Sequence, residues 1–89
     1  MSRYPTEDEL NKIIKWPHID FKGLMDFVKS IWEYADCGYW TKKGRTYYIS
    51  TGGWSGNEDI IYALQKNKLF WVMCWQQSRR GGHYILHVK

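Results

Sequence analysis

The residues best suited to chemistry in this chain fall into two glycine-rich clusters, Thr51-Gly-Gly-Trp-Ser-Gly-Asn-Glu58 and Ser78-Arg-Arg-Gly-Gly-His-Tyr84. In the first, Gly52, Gly53 and Gly56 lie between a strand pattern and a helix pattern. Glycines there let backbone N–H groups face outward at the positive end of a helix dipole, a favourable place for phosphate or carboxylate. Ser55 and Asn57 add side-chain hydrogen bonds, and Trp54 adds a ring. The spacing matches neither the dinucleotide-binding glycine fingerprint nor the phosphate loop, and no lysine follows. Two readings stay open: an anion or polar-ligand site, or a tight strand-to-helix turn in which Trp54 plugs the core and Ser55 caps the helix.

The second cluster places Arg79, Arg80, Gly81, Gly82, His83 and Tyr84 at a hairpin tip, after a strand carrying Trp75. Glycines alone satisfy turn chemistry, so two arginines are more than the turn needs. Arginine is suited to bidentate recognition of phosphate or carboxylate and to stacking. The plainer alternative is an exposed cationic turn that keeps the hairpin soluble. If both clusters share one sheet end, they form a single pocket of backbone donors, arginine charge and tryptophan walls. The expected ligand-binding set is then Gly52, Gly53, Trp54, Ser55, Gly56, Asn57, Trp75, Ser78, Arg79, Arg80, His83 and Tyr84.

Catalysis has less to stand on. Histidine serves as a general base near neutral pH, but no carboxylate or nucleophile stands at a spacing that marks it as a partner for His83. Ser55 is not in a nucleophile elbow. Cys74 sits in an apolar run, where a thiol is usually inert core. Glu58 and Asp59 suit the dipole of the helix they open. His18, His83 and His87 with the distant Cys37 and Cys74 make no zinc-ligand pattern, and no cofactor is implied.

Elements must position these clusters. Thr6-Glu-Asp-Glu9 is a capping box, and Leu10, Ile13 and Ile14 give the first helix its apolar face before Trp16-Pro17 ends it. Asp20 can cap a second helix, whose stripe Leu24, Phe27, Val28, Ile31, Trp32, Ala35 runs toward a stop near Asp36-Cys-Gly38. The period then becomes two: Tyr39–Thr41 and Arg45–Ser50 flank Lys42-Lys43-Gly44, a hairpin turn. Ser55-Gly-Asn-Glu58 repeats the capping-box pattern ahead of Ile60, Ile61 and Leu64, and Asn67 can close that third helix in a left-handed conformation. Leu69 to Gln77 is a run of strand formers, Ser78–Gly82 a turn, and His83–Val88 the closing strand. The order predicted is α-α-β-β-α-β-β, an α+β domain with one four-stranded antiparallel sheet and helices on one face.

Composition bounds the function. Eighty-nine residues make one domain. Aromatic residues reach 18%, with six Trp and seven Tyr, which suits either an aromatic core or a binding surface. The net charge of +4 favours an anionic partner, but the basic residues are scattered and form no run for nucleic acid or membrane. The polar, acidic start and the absence of a long apolar run point to a reduced cytoplasmic protein with free thiols, not associated with membrane.

The stretch Ile49–Glu58, with Phe70-Trp71, Trp75 and Ser78–Tyr84, resembles a family of small bacteriophage and prophage proteins of unassigned function. The resemblance covers roughly the C-terminal half. It implies a phage-type accessory protein in a host cytoplasm, and thereby an anti-defence role. The leading expectation is a binder of a phosphorylated or nucleotide-like small molecule, sequestering a signal, with Arg79 and Arg80 on phosphate and Trp54 or Trp75 on a base. A protein–protein inhibitor of a host protein comes second, a nucleic-acid-binding module third and an enzyme last. A homo-oligomer could complete either the core or the pocket.

Overall fold

Thr6 caps the first helix as its spacing to Glu9 predicts. Its Oγ accepts the Glu9 N–H at 3.1 Å, and the Glu9 carboxylate accepts the Thr6 N–H at 2.8 Å. The computed structural model describes residues 4–33, 35 and 38–88. Helix α1 spans Glu7–Ile14 and buries Ile13. After a 3-10 turn at His18–Asp20, the Asp20 carboxylate accepts the Gly23 N–H at 3.1 Å and opens α2, Phe21–Ile31, which buries Phe21, Leu24, Met25 and Val28.

The expected run of α2 through Trp32 and Ala35 is corrected here, because the helix stops at Ile31. Trp32 turns extended, with φ −77° and ψ 122°. Its indole N–H donates to the Ser50 carbonyl at 3.1 Å, and its ring meets Trp40 edge-on at 5.6 Å. Burying that ring against the sheet outweighs continuing the stripe. Asp36 and Cys37 lie outside the described residues.

Strands β1, Trp40–Lys43, and β2, Thr46–Ser50, form the predicted hairpin, but the turn is Gly44-Arg45: Lys42 and Lys43, expected in the turn, pair with Tyr47 and Thr46 and extend β1. Gly44 has φ 62°, the left-handed conformation that a two-residue hairpin turn needs. Helix α3 spans Ser55–Lys66 and buries Ile60, Ile61 and Leu64. The expected Ser55 cap does not form. Ser55 is already the first helical residue, and Trp54 holds the cap position without a side-chain hydrogen bond.

The larger correction concerns the strand expected over Leu69–Gln77. Lys68–Cys74 is a fourth helix, α4, and the strand begins only at Trp75. Asn67 decides this. Its φ is −80° rather than left-handed, and its side chain accepts the Phe70 N–H at 3.3 Å, starting α4 where α3 ends. The same amide donates to the carbonyls of Ile13 and Trp16 at 3.0 and 3.3 Å, tying the helix junction to α1. Phe70 and Cys74, four residues apart, then share one buried side, while Leu69, Val72 and Met73 face out. Tertiary burial and a cap thus override strand propensity.

Strands β3, Trp75–Arg79, and β4, His83–His87, complete an antiparallel sheet in the order β1-β2-β4-β3. The full order is α-α-β-β-α-α-β-β, an α+β fold. Side chains alternate across a sheet, and here the alternation separates two chemistries. Trp40, Tyr47, Ile49 and Leu86 are buried in one core with Leu24, Met25, Ile60, Leu64 and Phe70 from the helices. Among the described residues no helix covers the opposite face, and Tyr48 stands 42% exposed on it. Among the described residues no helix is long and apolar enough to cross a membrane.

Candidate functional site

The two glycine-rich clusters do share a sheet end. The Thr51 N–H donates to the Gly82 carbonyl at 3.0 Å, so the loop after β2 lies directly on the turn between β3 and β4. A Cβ built on Gly82 would run into the Thr51 hydroxyl, and one built on Gly52 would stand 2.7 Å from the Tyr39 ring. The glycines are therefore what allows these segments to touch.

Most polar groups of the Thr51–Asn57 loop are turned inward. Thr51 accepts the Trp54 N–H on its carbonyl at 3.0 Å, and its hydroxyl faces the Gly53 N–H at 3.4 Å. Asn57 is fully buried: its Nδ2 donates to the carbonyls of Glu33 and Thr51 at 3.1 and 3.3 Å, and its Oδ1 accepts the Glu33 N–H at 2.9 Å. That side chain clamps the segment after α2 to the start of α3. Trp54 is half-buried and leans on Tyr4 with ring centroids 4.7 Å apart. Its indole nitrogen lies where a Cβ on Gly56 would be 2.6 Å away, so Gly56 makes room for the ring. Ser55 and Gly53 are exposed.

The hairpin cluster is split between the two faces of the sheet. Trp75 and Ser78 sit on the helix side, where the Trp75 indole N–H donates to the Ser78 hydroxyl at 2.8 Å and the ring stacks on Trp71 at 6.2 Å. The Tyr84 ring also meets Trp71, and burial, then the neighbouring Tyr62 and Glu58, push its phenol pKa up. Arg80 is exposed in the turn. Arg79 and His83 go to the open face.

There the register builds a row that no local spacing announces. Ser50 pairs with His83, and His83 with Arg79. The Ser50 hydroxyl and His83 Nδ1 are 2.5 Å apart, and Arg79 donates to the Gln77 side chain at 3.3 Å, which steadies the guanidinium along its strand. The next row is Thr41, Tyr48, Ile85 and Gln77, and the last is Lys43, Thr46 and His87, with the Thr46 hydroxyl 3.0 Å from His87 Nδ1. The Lys43 ammonium lies 5.9 Å from the Tyr48 ring centre. None of these residues is acidic.

A shallow hollow of about 310 Å³ opens on this face, lined by Gly38, Thr41, Tyr48, Ser50, Arg79, His83 and Ile85 and bordered by Ile49 and Tyr84. Of the residues singled out from sequence, Arg79, His83 and Tyr84 reach it. Gly52, Gly53, Trp54, Ser55, Gly56, Asn57, Trp75, Ser78 and Arg80 do not line it. Thr41, Tyr48, Ser50 and Ile85 join it through strand alternation, the one signal in the sequence that separates Tyr47 from Tyr48. Its polar groups suit a ligand that accepts hydrogen bonds and carries negative charge, with an exposed phenol ring for a flat group. Comparison with known protein families, curated proteins and solved structures yields no match to this chain.

Proposed function

We propose that this protein binds a phosphorylated, nucleotide-like small molecule on the open face of its sheet, and acts by holding it. The observation that carries this reading is the Arg79–His83–Ser50 row beside the exposed Tyr48 ring, in a hollow whose described lining residues include no carboxylate. Arginine recognises phosphate through paired N–H donors, the hydroxyls of Ser50 and Thr41 add neutral donors, and a tyrosine ring offers a base a stacking surface. The hollow is at the small end of the range for ligand sites. In a phage setting, such binding would remove a host nucleotide signal by sequestration. Thermal-shift and calorimetric titration against linear and cyclic nucleotides tests it. Binding by one class, weakened in Arg79→Gln and Tyr48→Ala, is the expected result, and silence from the whole panel with folded protein removes the proposal.

A second reading, inhibition by docking on a host protein, draws on Leu69, Val72 and Met73, which stand exposed along one side of α4. Capture of a defined host protein that is lost in Val72→Glu and kept in Arg79→Gln would favour it over the ligand reading.

A further inference from the structure

A second cationic hollow lies at the opposite end of the sheet, on its helix side. Its volume is about 420 Å³, and Lys22, Lys42, Gly44, Arg45, Tyr47 and Val88 line it. The three cations arrive from three different elements. Lys22 is in the first turn of α2, Lys42 lies in β1, and Arg45 follows Gly44 in the hairpin turn. Lys42 stands two residues from the buried Trp40 and pairs with Tyr47, so strand alternation turns it toward the helix layer. Its ammonium lies 5.6 Å from the Tyr47 ring centre. The Arg45 carbonyl accepts the Val88 N–H at 2.9 Å, which pins the turn and holds Arg45 at the rim.

None of the described lining residues is acidic. Asp26, one helical turn after Lys22, is a carboxylate whose charge reaches Tyr47. Burial, then Asp26, raises the Tyr47 phenol above its ordinary value. Scattered lysines on a surface are ordinarily just solvated. Here three cations converge on one concavity, which focuses positive potential where a compact anion fits.

The contrast with the open face fixes the ligand class. Tyr47 is 2% exposed and held edge-on by Trp40 at 5.9 Å, so it has no free face for a base. What remains is charge and donor geometry. We infer that the Lys22–Lys42–Arg45 hollow binds a small oligophosphate, a di- or triphosphate group recognised without a base. Convergence from three elements onto one concavity fits a compact anion better than a nucleic-acid backbone, which basic residues track as a stripe. The hollow is separate from the nucleotide-like reading above, since strand alternation puts Lys42 and Tyr47 on the helix side and Thr41 and Tyr48 on the open face, with the thickness of the sheet between them.

The experiment is isothermal titration of the full chain with pyrophosphate and with tripolyphosphate at low salt, with orthophosphate as a singly phosphorylated control. The expected result is saturable binding that strengthens from ortho- to tripolyphosphate. The double variant K42Q/R45Q and the single variant Lys22→Gln should weaken it, the double by about ten-fold or more and by more than Arg79→Gln does. Far-ultraviolet circular dichroism confirms that these exposed substitutions leave the fold intact. Absence of heat with either oligophosphate, or binding that K42Q/R45Q leaves unaltered, overturns the inference. So does binding lost equally in Arg79→Gln, because the anion would then sit on the open face. Single-stranded DNA or phosphoinositide vesicles bound through Lys42 and Arg45, with free oligophosphate inert, would replace a small ligand by a polymer or a lipid surface and also overturn it.

Discussion

The loop over Thr51–Asn57 and the open face of β3 and β4 offer the same kinds of group, glycine backbone, hydroxyl, amide and aromatic ring, and use them oppositely. In the loop the groups answer one another. Asn57 saturates both Glu33 backbone groups and the Thr51 carbonyl, and Trp54 packs over Gly56. On the face, Arg79, Thr41 and Tyr48 stand at the surface around a hollow. A motif that looks functional because it is rich in unusual residues can thus be one that the fold needs for itself, while the binding surface is made of ordinary strand positions brought together by pairing.

Removing Asn57 gives the largest expected effect. Asn57→Leu would remove three hydrogen bonds, two to the half-buried Glu33 backbone and one to the Thr51 carbonyl, which keeps the Trp54 N–H as a donor. Each lost hydrogen bond is worth about 1 kcal/mol, so we expect a loss on the order of 3 kcal/mol and a fall in Tm of roughly 15 °C. Urea and thermal melts check this. A loss below about 1 kcal/mol would mean that the clamp is incidental and would blur the contrast between loop and face.

Gly82→Ala ranks next. Gly82 has φ 77°, a conformation that side chains rarely adopt, and the new methyl would meet the Thr51 hydroxyl where the two segments touch. The combined strain and displacement should cost about 2 kcal/mol. Gly81 also has positive φ, but its nearest listener is the His83 ring at 3.5 Å, an ordinary contact. Gly81→Ala should therefore cost less than Gly82→Ala, and equal losses would show that the contact between the clusters adds nothing beyond backbone strain.

Arg79→Gln should reverse the pattern. The side chain is exposed and its only described bond is to Gln77 at 3.3 Å, so stability should stay within about 0.5 kcal/mol of the parent. Affinity for a phosphorylated ligand should fall about ten-fold, which corresponds to about 1.4 kcal/mol. A variant that melts early with unaltered affinity would place Arg79 among the structural residues and leave the face without its anion anchor.

How much of this is legible in the chain depends on how local each cause is. Thr6 with Glu9, Asp20 with Gly23, and Gly44 in its turn act within four residues, and the two caps and the positive φ of Gly44 stand where the sequence puts them, although the turn itself shifts to Gly44-Arg45. Helix α4 was hidden because Phe70, Trp71 and Val72 favour strands, while the residue that starts the helix, Asn67, is anchored by carbonyls more than fifty positions away, at Ile13 and Trp16. The end of α2 was hidden for a similar reason, since Trp32 leaves the helix to reach Ser50. The contact between the two glycine-rich clusters could be posed from sequence as a condition, and pairing of β2 with β4 supplies it. The hollow itself depends on that pairing as well, which sets Ser50 against His83 and Tyr48 against Ile85.

Trp54 gives the smallest expected change and the sharpest test of the comparison. Its indole N–H is buried and has no acceptor among the described residues, a donor that already bears the cost of desolvation. Trp54→Phe removes that donor while keeping a ring against Tyr4, and loses some apolar contact in exchange. The two effects oppose each other, so the net change should lie within about 1 kcal/mol. Because Trp54 does not line the hollow, nucleotide affinity should be unaltered. If Trp54→Phe instead left the melt unchanged and abolished binding, the glycine loop would be the ligand site and the open face a bystander.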